Sequence, residues 1–166
     1  MSFAKIEKAT KGMRHTDIYK NTFQAMELLL KSCYGIQKIY DFRSSMPANQ
    51  YLKDFCTIRL QSARRSGHSS AMFNLIGKYF DTVMIIYMNL RQVKIMKQYL
   101  RHRDIKCQKE KIIMETPITI KNNIRGIKLD AVFVDCPVTK KTEELIYRDC
   151  TAYINPNKHF FIFFIG

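Results

Sequence analysis

The stretch FCTIRLQSARRSGHSSAMFNLIGKYF, residues 55–80, places a strand, a turn and a helix in immediate succession. FCTIRLQ (55–61) is rich in β-branched and aromatic residues, which predicts a strand. SARRSG (62–67) has the composition of a turn, and HSSAMFNLIGKYF (68–80) has the periodicity of an amphipathic helix. The side chains expected on the apolar face of that helix are Met72, Leu75, Ile76 and Tyr79. A helix that follows a strand directly predicts one unit of an α/β fold.

The same alternation continues along the chain on the carboxyl side of this unit. Predicted strands lie at 81–88, at 110–121 (one or two short strands around Pro117), at 129–136 and at 158–166, and predicted helices lie at 89–103 and 139–150. Strands that alternate with helices of this length indicate βαβ units. We therefore predict a mainly parallel β-sheet with helices on both faces.

The amino-terminal part differs in character from the rest. Residues 1–45 are predicted to form a basic arm followed by a helix at 16–40, with Gly35 as a candidate interruption. Pro47 is expected to begin a short helix. Residues 46–166 carry the α/β pattern, and the two parts are expected to form one structural unit.

Composition separates the chain from several classes of protein. Hydrophobic residues make up 46%, enough for a core, and 28 Lys and Arg against 14 Asp and Glu give a net charge of +14. Such an excess favours a polyanionic partner, with DNA preferred over RNA, although a solvated basic surface is the alternative. The basic side chains expected to contact nucleic acid are Arg91, Lys94, Lys97, Arg101, Arg103 and Lys106. Their binding is expected to be independent of sequence and sensitive to salt.

The cysteines and the apolar runs indicate the compartment. Five cysteines occur without a CxxC pair, and the amino-terminal residues lack the apolar segment of a signal peptide. We expect reduced thiols in a cytoplasm, that of the host cell if the protein is viral, and no zinc site. The longest apolar run, Phe160–Ile165, is too short to span a bilayer, so no membrane partner is expected.

The turn at 62–67 resembles a phosphate-binding loop in its position between strand and helix. The pattern GxxxxGK[ST] cradles phosphates with backbone N–H groups, uses its lysine on the β and γ phosphates, and holds Mg²⁺ with its hydroxyl. Gly67 and Ser69 match the pattern, whereas Ser62 replaces the first glycine and His68 replaces the lysine. A serine-capped helix after a strand is the alternative. The candidate nucleotide-binding residues are Gln50, Ser62, Arg64, Arg65, Gly67, His68, Ser69, Ser70 and Asp135.

Asp135 ends the apolar strand AVFVDC, as the metal-binding aspartate does in the Walker B element of ATPases. Ser69 and Asp135 are the candidate Mg²⁺ ligands, should nucleotide bind. The position where ATPases of the helicase type carry a water-activating glutamate is Cys136. For Asp135 alone, a turn residue at a strand end is the alternative.

Taken together, these parts resemble the ATPase domain of viral DNA-packaging terminase large subunits and related helicase-type P-loop NTPases. The matching stretches, in family order, are MPANQYLKDF (46–55), IRLQSARRSGHSSAM (58–72), VMIIYMNLRQVKIMKQYL (83–100), IKNNIRGIKLDAVFVDC (120–136) and HFFIFFIG (159–166). In this resemblance Gln50 is the adenine-side glutamine. The resemblance implies a parallel-sheet ATPase fold, ATP and Mg²⁺ as ligands, and a viral nucleic-acid context.

The departures from the family predict a degenerate site. His68 is shorter than lysine and largely neutral at pH 7, and Cys136 is a poor base, so little or no ATP hydrolysis is expected. Three hypotheses follow. The chain is a non-hydrolysing nucleic-acid-binding accessory or regulator of replication or packaging, a working ATPase or translocase that uses Arg64 or Arg65, or an interaction protein that binds or inhibits a viral or host ATPase subunit.

Overall fold

The computed structural model describes residues 15–40, 43–61, 67–102, 112–120, 126–154 and 158–165. The predicted arm at 1–15, apart from His15, and the greater part of the loop at 62–67 lie outside them. The helices are α1 (His15–Ile39), α2 (Ala48–Phe55), α3 (His68–Tyr79), α4 (Leu90–His102), α5 (Lys140–Cys150) and a 3-10 turn at Thr151–Tyr153. The strands are β1 (Thr57–Leu60), β2 (Val83–Ile86), β3 (Ile112–Glu115), β4 (Ala131–Val134) and β5 (Phe161–Ile165).

The described strands form one parallel sheet in the order β1-β5-β4-β2-β3. Every residue of β2, β4 and β5 is buried. Continuous apolar runs suit such strands because both of their faces are covered. The predicted α/β fold with a parallel sheet is confirmed, and the segment around Pro117 supplies one strand, β3.

The two faces of the sheet are covered by different helices. Helices α1, α3 and α4 pack on one face of the sheet, and α2 and α5 pack on the other. Each face has its own cluster of buried core residues. Successive side chains of β4 point to opposite faces of the sheet, so the strand contributes to both clusters. Phe133 belongs to the first cluster, and its neighbours Val132 and Val134 belong to the second. The rings of Phe133 and Phe163 stack with centroids 4.5 Å apart, and Phe80 meets both edge-on.

Local signals explain most helix boundaries. Pro47 precedes α2. At the start of α4, Asn89 Oδ1 accepts a hydrogen bond from the Gln92 N–H at 3.0 Å. At the start of α5, the Thr139 side chain accepts a hydrogen bond from the Thr142 N–H. Gly35 lies inside α1 and does not interrupt it. Of the four residues predicted on the apolar face of α3, Met72, Leu75 and Ile76 are buried, whereas Tyr79 is 39% exposed and donates its hydroxyl to Glu27 of α1.

Helix α1 is anchored to the rest of the fold by one apolar face. Side chains at spacings of four and three residues face the first core cluster, and the buried ones are Met26, Leu30 and Cys33. The buried Gln37 donates to the Phe160 carbonyl at 2.9 Å. None of the helices in the described parts of the chain is long and apolar enough to cross a membrane.

Candidate functional site

The site lies at the carboxyl edge of the sheet, where the connections after β1 and β4 leave toward opposite faces. After β1 the chain enters α3 on one face, whereas after β4 it enters α5 on the other. Only β5 separates β1 from β4. In open α/β sheets, ligands bind outside the carboxyl ends of the strands at such a switch point.

Gly67 shapes the start of α3. Its φ of +75° lies in the left-handed region, which glycine adopts without a steric penalty. The first backbone hydrogen bond of the helix runs from the Ala71 N–H to the Gly67 carbonyl at 2.9 Å. The N–H groups of His68, Ser69 and Ser70 therefore stand outside the helical ladder, at the positive end of the helix dipole.

Two predicted stretches of sequence meet at this point. Nε2 of His68 lies 3.4 Å from Oδ1 of Asp135, and the Ser69 hydroxyl donates to Oδ2 of Asp135 at 3.1 Å. The Asp135 backbone N–H bonds the Ile86 carbonyl at 3.0 Å, which holds the residue against β2. The cluster of His68, Ser69 and Asp135 thus joins the start of α3 to the carboxyl end of β4.

Burial sets the electrostatics of the cluster. Burial raises the pKa of Asp135, while the charge of His68 and the hydrogen bonds from Ser69 and His68 oppose the rise. The Tyr87 side chain is buried next to it, and burial followed by the Asp135 charge raises the pKa of that phenol. Among the described residues, the Tyr87 hydroxyl is the buried side-chain polar group without a hydrogen-bond partner. Burial and the Asp135 charge also raise the pKa of Cys136 to about 11, so the thiol is protonated at neutral pH.

A cavity of about 550 Å³ opens beside the cluster, at the carboxyl ends of β1, β5 and β4. Cys136, Arg59 and Glu143 are among its lining residues. The Arg59 guanidinium pairs with the Glu143 carboxylate and lies 4.7 Å from the Phe164 ring centroid. Neither Arg59 nor Glu143 is a predicted site residue. A strand arginine and an acid in the first turn of a helix carry no signal of their own, because their meeting depends on the tertiary fold.

The remaining predicted nucleotide residues are placed differently. Gln50 lies on α2, where its amide bonds the Asp54 carboxylate, and it lines a separate cavity of about 540 Å³ with Lys53 and Arg148. The structure therefore does not bring Gln50 to the cluster. Ser62, Arg64 and Arg65 lie outside the described residues.

The cluster can be tested for its fit to Mg²⁺. The Ser69 hydroxyl and the Asp135 carboxylate are oxygen donors, the type that Mg²⁺ prefers, with its remaining positions normally filled by phosphate and water. Both Asp135 oxygens already have side-chain partners, so His68 has to release Oδ1 for a metal to bind there. Within the described residues, no group of three or more His, Cys, Asp or Glu side chains could hold a metal ion. The donors fit Mg²⁺ only with phosphate and water completing its shell.

The basic helix α4 begins at the same edge of the sheet, directly after β2. Its Val93 is buried, whereas Arg91, Lys94 and Lys97 are exposed on the outer side. The Arg101 side chain, Arg103 and Lys106 lie outside the described residues. The part of the predicted stripe that is described therefore forms an exposed cationic surface.

No protein-family model and no curated protein sequence matches this chain. Function is therefore inferred from the geometry at the carboxyl edge of the sheet and from the charge of the surface beside it.

Proposed function

We propose that the chain is a degenerate P-loop NTPase-like protein that binds nucleic acid, with little or no ATP hydrolysis. In keeping with its resemblance to terminase ATPase domains, it acts as an accessory or regulator of viral DNA replication or packaging. The observation that carries the proposal is the meeting of His68 and Ser69 with Asp135 at the switch point of a parallel sheet. It is supported by a glycine in the left-handed conformation at the helix start.

Phosphate binding follows from the start of α3. The three N–H groups outside the ladder and the helix dipole attract an anion. Ser69 and Asp135 would hold Mg²⁺ if it accompanies the nucleotide. Bound Mg²⁺ would supply charge neutralisation between phosphate oxygens.

Weak hydrolysis follows from the two replaced residues. His68 contacts Asp135, so in this arrangement its ring is committed to the carboxylate. Cys136 is a protonated, buried thiol and cannot take a proton from water at neutral pH. Loss of charge stabilisation alone typically costs factors of about 10²–10³ in rate.

Nucleotide binding is tested by calorimetry with ATP and Mg²⁺ on the full chain. We expect micromolar binding that Gly67→Val weakens at least tenfold, because valine cannot adopt the loop conformation. Gly126→Val is the matched control, since Gly126 also has a positive φ, +82°, and lies away from the cluster. Absence of ATP binding, or equal effects of the two valines, contradicts the nucleotide part of the proposal.

Nucleic-acid binding is tested separately by fluorescence anisotropy with duplex and single-stranded DNA across a salt series. Replacing Arg91, Lys94 and Lys97 with Gln should weaken binding and make the slope of log K against log salt less negative by about 2–3. The control removes the same charge from α1 with Lys20→Gln, Lys31→Gln and Lys38→Gln. Equal losses from both triple variants would show that net charge alone accounts for binding.

A hydrolysing site is the second candidate, and one observation favours it. Glu143 lines the same cavity as Cys136, which gives the site a carboxylate that could accept a proton from water. Its ion pair with Arg59 opposes that role, because the guanidinium occupies the carboxylate. Steady-state phosphate release with DNA present decides between the candidates. Turnover lost in both Asp135→Ala and Glu143→Gln but kept in Glu144→Gln would establish the second candidate and exclude the first.

A further inference from the structure

Within the described residues, helix α1 packs on the core with one apolar face and carries a second apolar face that is exposed. The second, which we name the outer face, is formed by large apolar side chains that stay exposed in the folded chain. Its members are Ile18 (37% exposed), Leu28 (67%), Leu29 (37%), Ile36 (45%) and Ile39 (72%). Ile18 and Leu29, like Leu28 and Ile39, are eleven residues apart, and Leu29 and Ile36 are seven apart. Because 3.6 residues make one turn, Ile18, Leu29 and Ile36 project in one direction and Leu28 and Ile39 project about 60–100° from it, so the five side chains form one stripe about 100° wide.

Such a stripe differs from scattered surface residues. Isolated apolar side chains are normal on protein surfaces, but a contiguous apolar stripe marks a contact with another molecule. A helix that is apolar on two sides is characteristically covered on both. In α1 the inner face contacts the core, and the outer face is left for a partner.

The charges beside the stripe identify the kind of partner. Lys31 follows Leu28 by three positions, and Lys38 adjoins Ile39, so exposed cations border the carboxyl-terminal half of the outer face. Lys31 makes a 3.7 Å ion pair with Glu27, but the same Glu27 carboxylate also binds Lys78 at 2.7 Å. The two lysines on Glu27 leave a positive balance here. Asp17 lies near the opposite end of the helix.

We propose that the outer face of α1 binds an acidic amphipathic helix of a partner protein. The apolar side of such a helix would cover Leu28, Leu29, Ile36 and Ile39, and its carboxylates would meet Lys31 and Lys38. A second copy of this chain is a poorer occupant, because it would bring the same cations together in a chain whose net charge is already +14. The surface uses neither the His68–Ser69–Asp135 cluster nor α4.

The experiment uses the full chain and two synthetic helical peptides of about 21 residues as probes. Both carry leucines at heptad a and d positions; one has glutamates at the flanking positions and the other has lysines. By fluorescence anisotropy at moderate salt, we expect the acidic peptide to bind at least tenfold more tightly than the basic one. Leu28→Glu with Ile39→Glu should abolish this binding. Ile118→Glu, which alters an apolar residue that is 88% exposed elsewhere, should leave it unchanged.

Charge reversal separates the surface from general attraction to a basic protein. Lys31→Glu with Lys38→Glu should reverse the preference toward the lysine-flanked peptide. The triple replacement of Arg91, Lys94 and Lys97 with Gln should change affinity by less than twofold. Circular dichroism of each variant confirms that it is folded, as expected for substitutions at exposed positions.

Three results would overturn the proposal. The first is equal affinity for the two peptides, and the second is acidic-peptide binding that survives Leu28→Glu with Ile39→Glu. The third is self-association in analytical ultracentrifugation that the same two substitutions abolish, since it would assign the outer face to a second copy of this chain.

Discussion

The two ends of strand β4 each carry an aspartate, and the two carboxylates are held in different ways. At the amino end, Oδ2 of Asp130 accepts the backbone N–H groups of Asp81 and Thr82 at 3.0 and 2.8 Å, and Lys158 lies 3.4 Å from Oδ1. At the carboxyl end, the side-chain partners of Asp135 are His68 and Ser69. A four-residue strand thus separates two carboxylates with different surroundings.

The difference teaches which carboxylate is available for a ligand. Backbone donors are fixed by the fold, so Asp130 is committed to joining the start of β2 to the start of β4. Side-chain partners can rotate away and leave the carboxylate to a cation. Asp135 is therefore the exchangeable member of the pair and Asp130 the structural one.

The largest loss of stability is expected from a substitution in the core of β4, the strand between the two aspartates. Phe133 is fully buried and stacks on Phe163, so Phe133→Ala should lower the free energy of unfolding by about 3–5 kcal/mol. Urea denaturation followed by circular dichroism measures the loss, with the exposed Met88→Ala as control. A loss below about 1 kcal/mol would mean that β4 does not connect the two ends through the core.

The amino end comes next. Asp130→Ala leaves two backbone N–H groups without their acceptor, but the exposed Asp81 N–H can bond water instead. The part-buried Thr82 N–H loses a hydrogen bond to a charged group, worth about 1.5–3 kcal/mol. Stability should fall by that amount, while ATP affinity measured by calorimetry should stay within twofold of wild type. Asp130→Asn keeps one acceptor oxygen and should lose less. A tenfold loss of ATP affinity in a folded Asp130 variant would contradict the division between the two ends.

The carboxyl end is tested through its glycine. Gly67→Ala places a Cβ in the left-handed region, which costs about 1–2 kcal/mol, and that Cβ would meet Tyr19 at 3.4 Å. Gly126→Ala has the same conformational cost with nothing within 4 Å, so the two stability losses should be similar. Only Gly67→Ala should weaken ATP binding. If Gly126→Ala weakens it equally, the start of α3 is not the phosphate site.

These two ends also show how far the sequence predicts the fold and the candidate site. Continuous apolar runs predict β2, β4 and β5, because buried parallel strands need no alternation. The turn before α3 and the aspartate after β4 predict that Gly67, Ser69 and Asp135 belong to one site. The prediction that Gly67, Ser69 and Asp135 share a site comes from the order in which the loop and the aspartate follow their strands in the resembling family.

Other contacts could not be predicted from local patterns. The pairing of Arg59 with Glu143 joins residues 84 positions apart, and it depends on the sheet placing β1 close to α5. Asp130 reaches the backbone N–H groups of Asp81 and Thr82 because β2 pairs with β4. Gln50, predicted on the adenine side of a nucleotide, lies on α2, which packs on the opposite face of the sheet from α3. Each of these contacts depends on tertiary packing, which the spacing of residues in the sequence does not predict.

The smallest effect, and the one with the most informative sign, is the pH dependence of two carboxylates. Burial raises the pKa of Asp135, so its folded form resists ionisation, and its contribution to stability falls as pH rises above the unfolded value. The pKa of Glu27 is lowered to about 2 by hydrogen bonds from Lys78 and Tyr79. The contribution of Glu27 to stability is therefore present above the unfolded pKa and is lost as pH falls toward 2.

The test compares the stability of each variant with that of wild type at pH 7 and at pH 3. The difference should favour Asp135→Asn more at pH 7 than at pH 3, and it should favour Glu27→Gln less at pH 7 than at pH 3. Thermal unfolding at the two pH values measures both differences. Parallel changes in the two variants would mean that the contacts of Asp135 with His68 and Ser69 outweigh the effect of its burial.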